Sequence, residues 1–359
     1  MLPPRIVRRL IFAPLVIVLT VAVVVTLPVW LVFGLIVSLR LPPPRRRGLR
    51  LVVFAVVWLA LESAALIASL ELWVASGFGG RLREASHQER HYALIRWLLT
   101  NVYGAAVAIF RLSVTIEEPA LTAAEIERRL TRPIIVLSRH AGPGDSFLLV
   151  YHLLARYQRR PRIVMKAALQ FDPSLDVVIN RLPNAFVPRK TAESGVTAEI
   201  SRLAADMDAD DALVIFPEGG NFTPARRFRA IRRLRERGLR KEAARAERLD
   251  HLLPPRPNGA IAAMTACPEA DVIFVAHTGL DDLITLGDVW NHLPEEARIT
   301  AKWWRWAAED VPREREAQIA WLFDQWTAID NWITAQKDLA ARSRATPPEH
   351  LEPEQDRLG

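Results

Sequence analysis

Residues 10–39, LIFAPLVIVLTVAVVVTLPVWLVFGLIVSL, form an uncharged stretch. At ~1.5 Å per residue a helix of that length measures about 45 Å, longer than the ~30 Å hydrocarbon core, so the pattern predicts entry into a membrane. The stretch is too long for the apolar region of a cleaved leader. Pro14 and Pro28 each remove a backbone donor, which leaves a tilted span and a re-entrant hairpin as two possible shapes. A second apolar run, Leu51 to about Phe78, contains Glu62 and Glu71. A carboxylate in lipid is costly unless it is neutral, paired or turned towards another helix. This run therefore predicts either a span packed on the first or a helix lying partly in the interface.

Past Phe110 the pattern becomes short β-rich runs alternating with amphipathic helices, the sequence form of an α/β domain. Residues 133–138 (PIIVLS), 162–165, 185–188, 212–216 (ALVIF) and 271–276 (DVIFVA) are the strand candidates, with helices expected at 146–157 and 192–206. The expected organisation is a membrane-anchoring region at 1–78, a helical linker at 79–129, an α/β domain at 130–280, a Trp-rich helical extension at 281–344 and a disordered Pro- and Glu-rich tail at 345–359. Seven of the 11 Trp fall between 290 and 332. Trp321, Phe323, Trp326, Ile329 and Ile333 follow helical spacing, which favours a core face over a membrane-interface belt.

Charge alters this picture through its location. The chain of 359 residues carries a formal +7, but residues 1–100 hold 12 Arg, no Lys and four Glu, so the whole excess lies around the apolar runs. That distribution suits anionic headgroups better than nucleic acid. Arg flanks both runs on every side, so the positive-inside rule selects no orientation. The single cysteine, Cys267, excludes an internal disulfide framework and a zinc ribbon, and has no neighbouring base in sequence to activate it.

Two strand ends carry candidate chemistry. Ser138-Arg139-His140-Ala141-Gly142-Pro143-Gly144-Asp145-Ser146 follows the first strand, placing His140 at the sheet edge where α/β proteins bind ligands. Asp145 could hold one ring nitrogen of His140 and leave the other as a general base; alternatively it simply caps the following helix. The second element is Phe216-Pro217-Glu218-Gly219-Gly220-Asn221, in which the glycines permit close backbone approach and Glu218 could orient a bound substrate.

Taken together, His140-x4-Asp145 and Phe216-Pro217-Glu218-Gly219 resemble the glycerolipid acyltransferases of the 1-acyl-glycerol-3-phosphate acyltransferase type. Phe186-Val187-Pro188-Arg189 resembles that family's phosphate-binding block, and Lys166 stands where such enzymes carry a further phosphate-binding lysine. The segment His251-Leu252-Leu253-Pro254-Pro255-Arg256 is similar to one following the glutamate block in membrane-bound members. Asn221 stands in place of the family's phosphate-binding Arg, for which Arg226, Arg227 or Arg229 could substitute. These three open a run to Arg248 with 11 basic residues, suited to anionic headgroups or CoA phosphates or simply solvated.

The resemblance implies an α/β fold with a mixed sheet flanked by helices and preceded by N-terminal membrane helices. It implies acyl transfer from acyl-CoA or acyl carrier protein to a lysophospholipid hydroxyl, with His140 and Asp145 catalytic. The expected substrate-binding residues are Lys166, Arg189, Phe216, Pro217, Glu218, Gly219 and Arg226. Neither metal nor resident cofactor is expected. The expected partners are membrane lipids, the lysophospholipid acceptor and the thioester donor, without nucleic acid, at a cell membrane with the catalytic domain on the cytoplasmic face. Backbone N–H groups around Gly142–Ser146 are the candidate oxyanion donors. His277, in the last strand, is expected as a satisfied structural histidine.

Overall fold

The computed structural model describes residues 2–40, 47–188, 191–281 and 298–345. The first apolar stretch forms two helices, α1 (Arg5–Val25) and α2 (Leu27–Arg40). They part at Thr26, where φ −93° and ψ 15° leave the helical region. Pro28 accounts for the break, since it has no N–H to donate and its ring crowds the carbonyl of Val24. Helices α3 (Arg47–Ala75) and α4 (Ala85–Phe110) follow.

By length and composition three helices can cross a membrane: Arg5–Val25, Gly48–Ala75 and Ala85–Phe110; α2 is shorter. These helices are compatible with membrane association. Glu62 of α3 turns towards the α/β domain, where it accepts from the Ser174 backbone N–H at 3.1 Å. The α1–α3 contact includes a Thr20–Ser63 hydroxyl pair at 2.8 Å. Tyr92, Ile95 and Leu99 of α4 pack on Leu154, Val178 and Leu182.

The domain is built from β1 (Ser113–Glu117), α5 (Ala123–Thr131), β2 (Ile134–Ser138), α6 (Pro143–Tyr151, prolonged by a π-helical turn His152–Arg156), β3 (Arg160–Lys166), α7 (Pro173–Val178), β4 (Ala185–Val187) and α8 (Glu193–Ala204). It continues through β5 (Asp211–Ile215), α9 (Pro224–Glu236), α10 (Arg240–Ala246), α11 (Pro257–Ala266), β6 (Asp271–Thr278), β7 (Arg298–Trp306) and α12 (Arg315–Ala345). The strands form one mixed sheet in the order β1-β7-β6-β2-β5-β3-β4. All neighbours are parallel except β6 and β7.

Strands β2 and β5 are buried along their whole length, as expected for parallel strands covered on both faces. Ile135, Leu137, Leu213 and Phe274 pack on one face beneath α8, α11 and α12. Ile134, Val136 and Val214 pack on the other beneath α6. Because β2, β5 and β3 run parallel, their carboxyl ends share one edge, and the loops that follow them meet there.

The sheet exceeds the expected bounds of 130–280. Its edge strand β1 lies inside the expected helical linker, and β7 lies inside the expected helical extension. In β7, RITAKWWRW, the side chains alternate: Trp303 faces Tyr157, while Trp304 and Trp306 face the opposite core with Phe274 and Trp321. Lys302 and Arg305 obscure that period-two pattern in the sequence. Trp321, Trp326, Ile329 and Ile333 of α12 are core residues. Trp290 lies outside the described residues, as does the expected tail beyond Ala345.

Candidate active site

His140 leaves β2 two residues past its last member, and α6 begins three residues later. Asp145 is the third residue of α6, and its Oδ2 accepts the N–H groups of Ala141 at 2.6 Å and Gly142 at 3.0 Å. That secures the helix start. The same carboxylate lies 3.2 Å from His140 Nδ1 through each oxygen, and Oδ1 accepts from the Ser146 hydroxyl at 3.0 Å. Capping and histidine orientation, alternatives in the sequence, are here two functions of one side chain. With Nδ1 engaged, Nε2 of His140 is the nitrogen left for chemistry. Burial raises the Asp145 pKa, but the hydrogen bond to His140, the fields of His277 and His140, and the Gly142 N–H together hold it below the usual carboxylate range.

The Phe216 ring packs against the His140 ring, with centroids 4.7 Å apart. Glu218, expected to face substrate, turns inward and is 2% exposed. Its oxygens accept the backbone N–H groups of His140 at 2.8 Å and Leu253 at 2.9 Å. The carboxylate thus braces the His140 loop against the segment after α10. Burial pushes its pKa up to about 7, against the lowering by those two donors.

Gly219 has φ +65°, and a Cβ there would sit 3.0 Å from the Arg256 guanidinium carbon. A side chain is therefore disfavoured by conformation and by space. The Arg256 backbone N–H donates to Pro217 O at 2.9 Å, which straps this arginine over the turn. Arg226, in the first turn of α9, donates from Nη1 to Asn221 O at 3.0 Å. Lys166 ends β3 with its side chain exposed, on the same edge of the sheet. Arg189 lies outside the described residues.

Three further residues belong to the site. Arg139, 1% exposed, donates to the His277 carbonyl at 2.5 Å and to Asp281 Oδ1 at 2.7 Å. His277 Nε2 stands 3.6 Å from Asp145 Oδ2, and neither of its ring nitrogens has a hydrogen-bond partner. The Arg139 backbone also lies beside the ring. Arg256 is the third; its position in the HLLPPR segment was the available signal. Among the described residues, no three His, Cys, Asp or Glu side chains gather as a metal site.

Beside the pair, between α6 and the sheet, lies a cavity of about 90 Å³. Its lining includes Ser138, Asp145 and His277, the apolar Val136, Leu149 and Val275, and Tyr157, Trp303 and Arg305. From Ser138 to Ile134 along β2 the depth is about 13 Å.

Residues 114–277 match the Acyltransferase family. This stretch is an acyltransferase-family domain. It runs from β1 to His277 and holds both catalytic candidates, the braced glutamate turn and the strands that align them. No curated protein matched the chain in a sequence search. The family match supports acyl transfer in lipid metabolism as the chemistry of this domain.

Proposed function

We propose that the protein transfers a fatty acyl group from a thioester donor, acyl-CoA or acyl carrier protein, to the hydroxyl of a lysophospholipid, with 1-acyl-glycerol-3-phosphate as the acceptor and phosphatidic acid as the product. The observation that carries this reading is the His140–Asp145 pair, aligned through Nδ1 and beside an apolar cavity. His140 Nε2 takes the acceptor hydroxyl proton as the oxygen attacks the thioester carbonyl. Asp145 fixes the tautomer and stabilises the imidazolium. The tetrahedral intermediate then collapses, the C–S bond breaks, and the departing thiolate takes the proton back from His140.

Ala141 and Gly142 N–H are already engaged by Asp145, so the oxyanion role moves from Gly142 to the N–H groups further into the first turn of α6. The cavity walls suit an alkyl chain. Arg256 and Arg226, both beside Gly219–Asn221, offer guanidinium groups to an acceptor phosphate, with Lys166 on the same edge. The three apolar helices suit a reaction whose substrate and product are both lipids.

The full chain, purified in detergent, tests this with labelled acyl-CoA and three acceptors: lysophosphatidate, lysophosphatidylcholine and monoacylglycerol. The expected result is phosphatidic acid as the main product. R256A is expected to raise the KM for lysophosphatidate about tenfold or more, the loss of one charge-assisted contact, with kcat changed far less. Equal use of all three acceptors, or an R256A enzyme with unaltered KM, contradicts the phosphate assignment.

A further inference from the structure

We infer that His277 is a second histidine on the catalytic carboxylate, a positioning residue that donates from Nε2 to Asp145 and thereby sets how Asp145 holds His140. The inference rests on the reading of His140 as general base. Its ground is a buried imidazole whose Nε2 faces Asp145 Oδ2 at 3.6 Å and whose ring nitrogens meet no partner at close hydrogen-bonding distance, the Arg139 backbone being the other polar group beside the ring. Leaving Nε2 unmet is costly in a dry interior. An apolar residue would fill the site without that cost. A small adjustment of the ring or of Asp145 brings Nε2–H within bonding distance.

The backbone fixes the ring's position. His277 is in β6, opposite Ala301 of β7 in the antiparallel register, and its carbonyl is bound by Arg139. The charged groups around it are Arg139 and Asp145 from the β2–α6 connection, Asp281 beyond β6, and Lys302 of β7 on the wall of the same cavity. Arg139 disfavours a second positive charge beside it, so His277 acts as a neutral donor. Asp145 then sits between two imidazoles, His140 through Nδ1 and His277 through Nε2, with Ala141 and Gly142 N–H also on Oδ2 and the Ser146 hydroxyl on Oδ1. A neutral donor on Oδ2 draws negative charge from His140 and restrains carboxylate rotation.

Glutamine and asparagine variants separate this role from packing, because both are neutral amides of similar polarity. The Gln nitrogen reaches about as far as Nε2, whereas the Asn nitrogen stops near Nδ1. The experiment measures kcat, KM and the pH profile of acyl transfer from acyl-CoA to lysophosphatidate for the full chain and its H277Q, H277N and H140A variants. H277Q is expected within about twofold of wild type. H277N is expected to lose about tenfold in kcat with KM little changed, and to move the acid limb upwards by about half a pH unit or more. H277Q and H277N that behave alike, whether both active or both impaired, overturn the inference. An H140A enzyme with wild-type activity overturns the reading beneath it instead.

Discussion

Two buried side chains at the site, Glu218 and His277, both favour their neutral forms, with opposite consequences for stability. Glu218 has its pKa pushed up to about 7 by burial, so between its usual value and 7 the folded chain binds more protons than the unfolded one. Its contribution to stability is present at low pH and lost as pH rises through that window. His277 has its pKa lowered to about 4 by burial and by Arg139. There the unfolded chain binds more protons, so its contribution is present at neutral pH and lost as pH falls towards 4. The two slopes oppose each other across nearly the same range. Removing either unmasks the other: E218Q is expected to gain stability as pH rises from 4.5 to 6.5, and H277Q to lose it. Thermal midpoints of the detergent-solubilised protein over that interval check this, and parallel slopes for both variants contradict it. Gly219 offers a simpler test. Its positive φ and the Arg256 guanidinium 3.0 Å from a Cβ position predict that G219A costs about 1–2 kcal/mol, read as a lower unfolding midpoint.

At the scale of elements, the first apolar helix docks on the domain beside the site. Arg8 of α1 is 6% exposed and donates from Nη2 to Asp176 Oδ1 at 2.6 Å and to Gln170 Oε1 at 2.9 Å. Arg9 adds a second contact to Asp176, and Phe12 stacks on Phe171. These partners lie on α7 and the turn just after Lys166, so α1 enters the domain at the edge of the sheet that carries His140. D176A leaves the Arg8 guanidinium buried without its carboxylate and is expected to cost about 3–5 kcal/mol. Unfolding midpoints of D176A and wild type in the same detergent measure it, and a change below about 1 kcal/mol contradicts the anchoring role. The hydrophobic pattern anticipated β2 to β6, because parallel strands covered on both faces are written as continuous apolar runs. It missed β1 and β7. SVTIE is short and half polar, and the charges of β7 disguise its alternation.

Across the whole molecule, the candidate site was legible wherever function is concentrated in a loop. His140 and Asp145 are five residues apart and meet after one strand-to-helix turn. Residues joined only by tertiary structure were not legible: Glu218 pairs with Leu253, 35 residues away, and His277 reaches Asp145 across the sheet. The inward turn of Glu218 depends on two backbone donors that no spacing reveals. The parallel strands of the acyltransferase-family domain deliver a histidine, an aspartate and a glycine turn to one edge, with apolar helices docked beside it. The proposed chemistry turns on His140 as general base. The direct measurement compares acyl transfer from labelled acyl-CoA to lysophosphatidate by wild type and H140A, purified in the same detergent and matched in thermal unfolding. A fall in kcat of about 100-fold or more is expected; H140A activity within about threefold of wild type would contradict the general-base role.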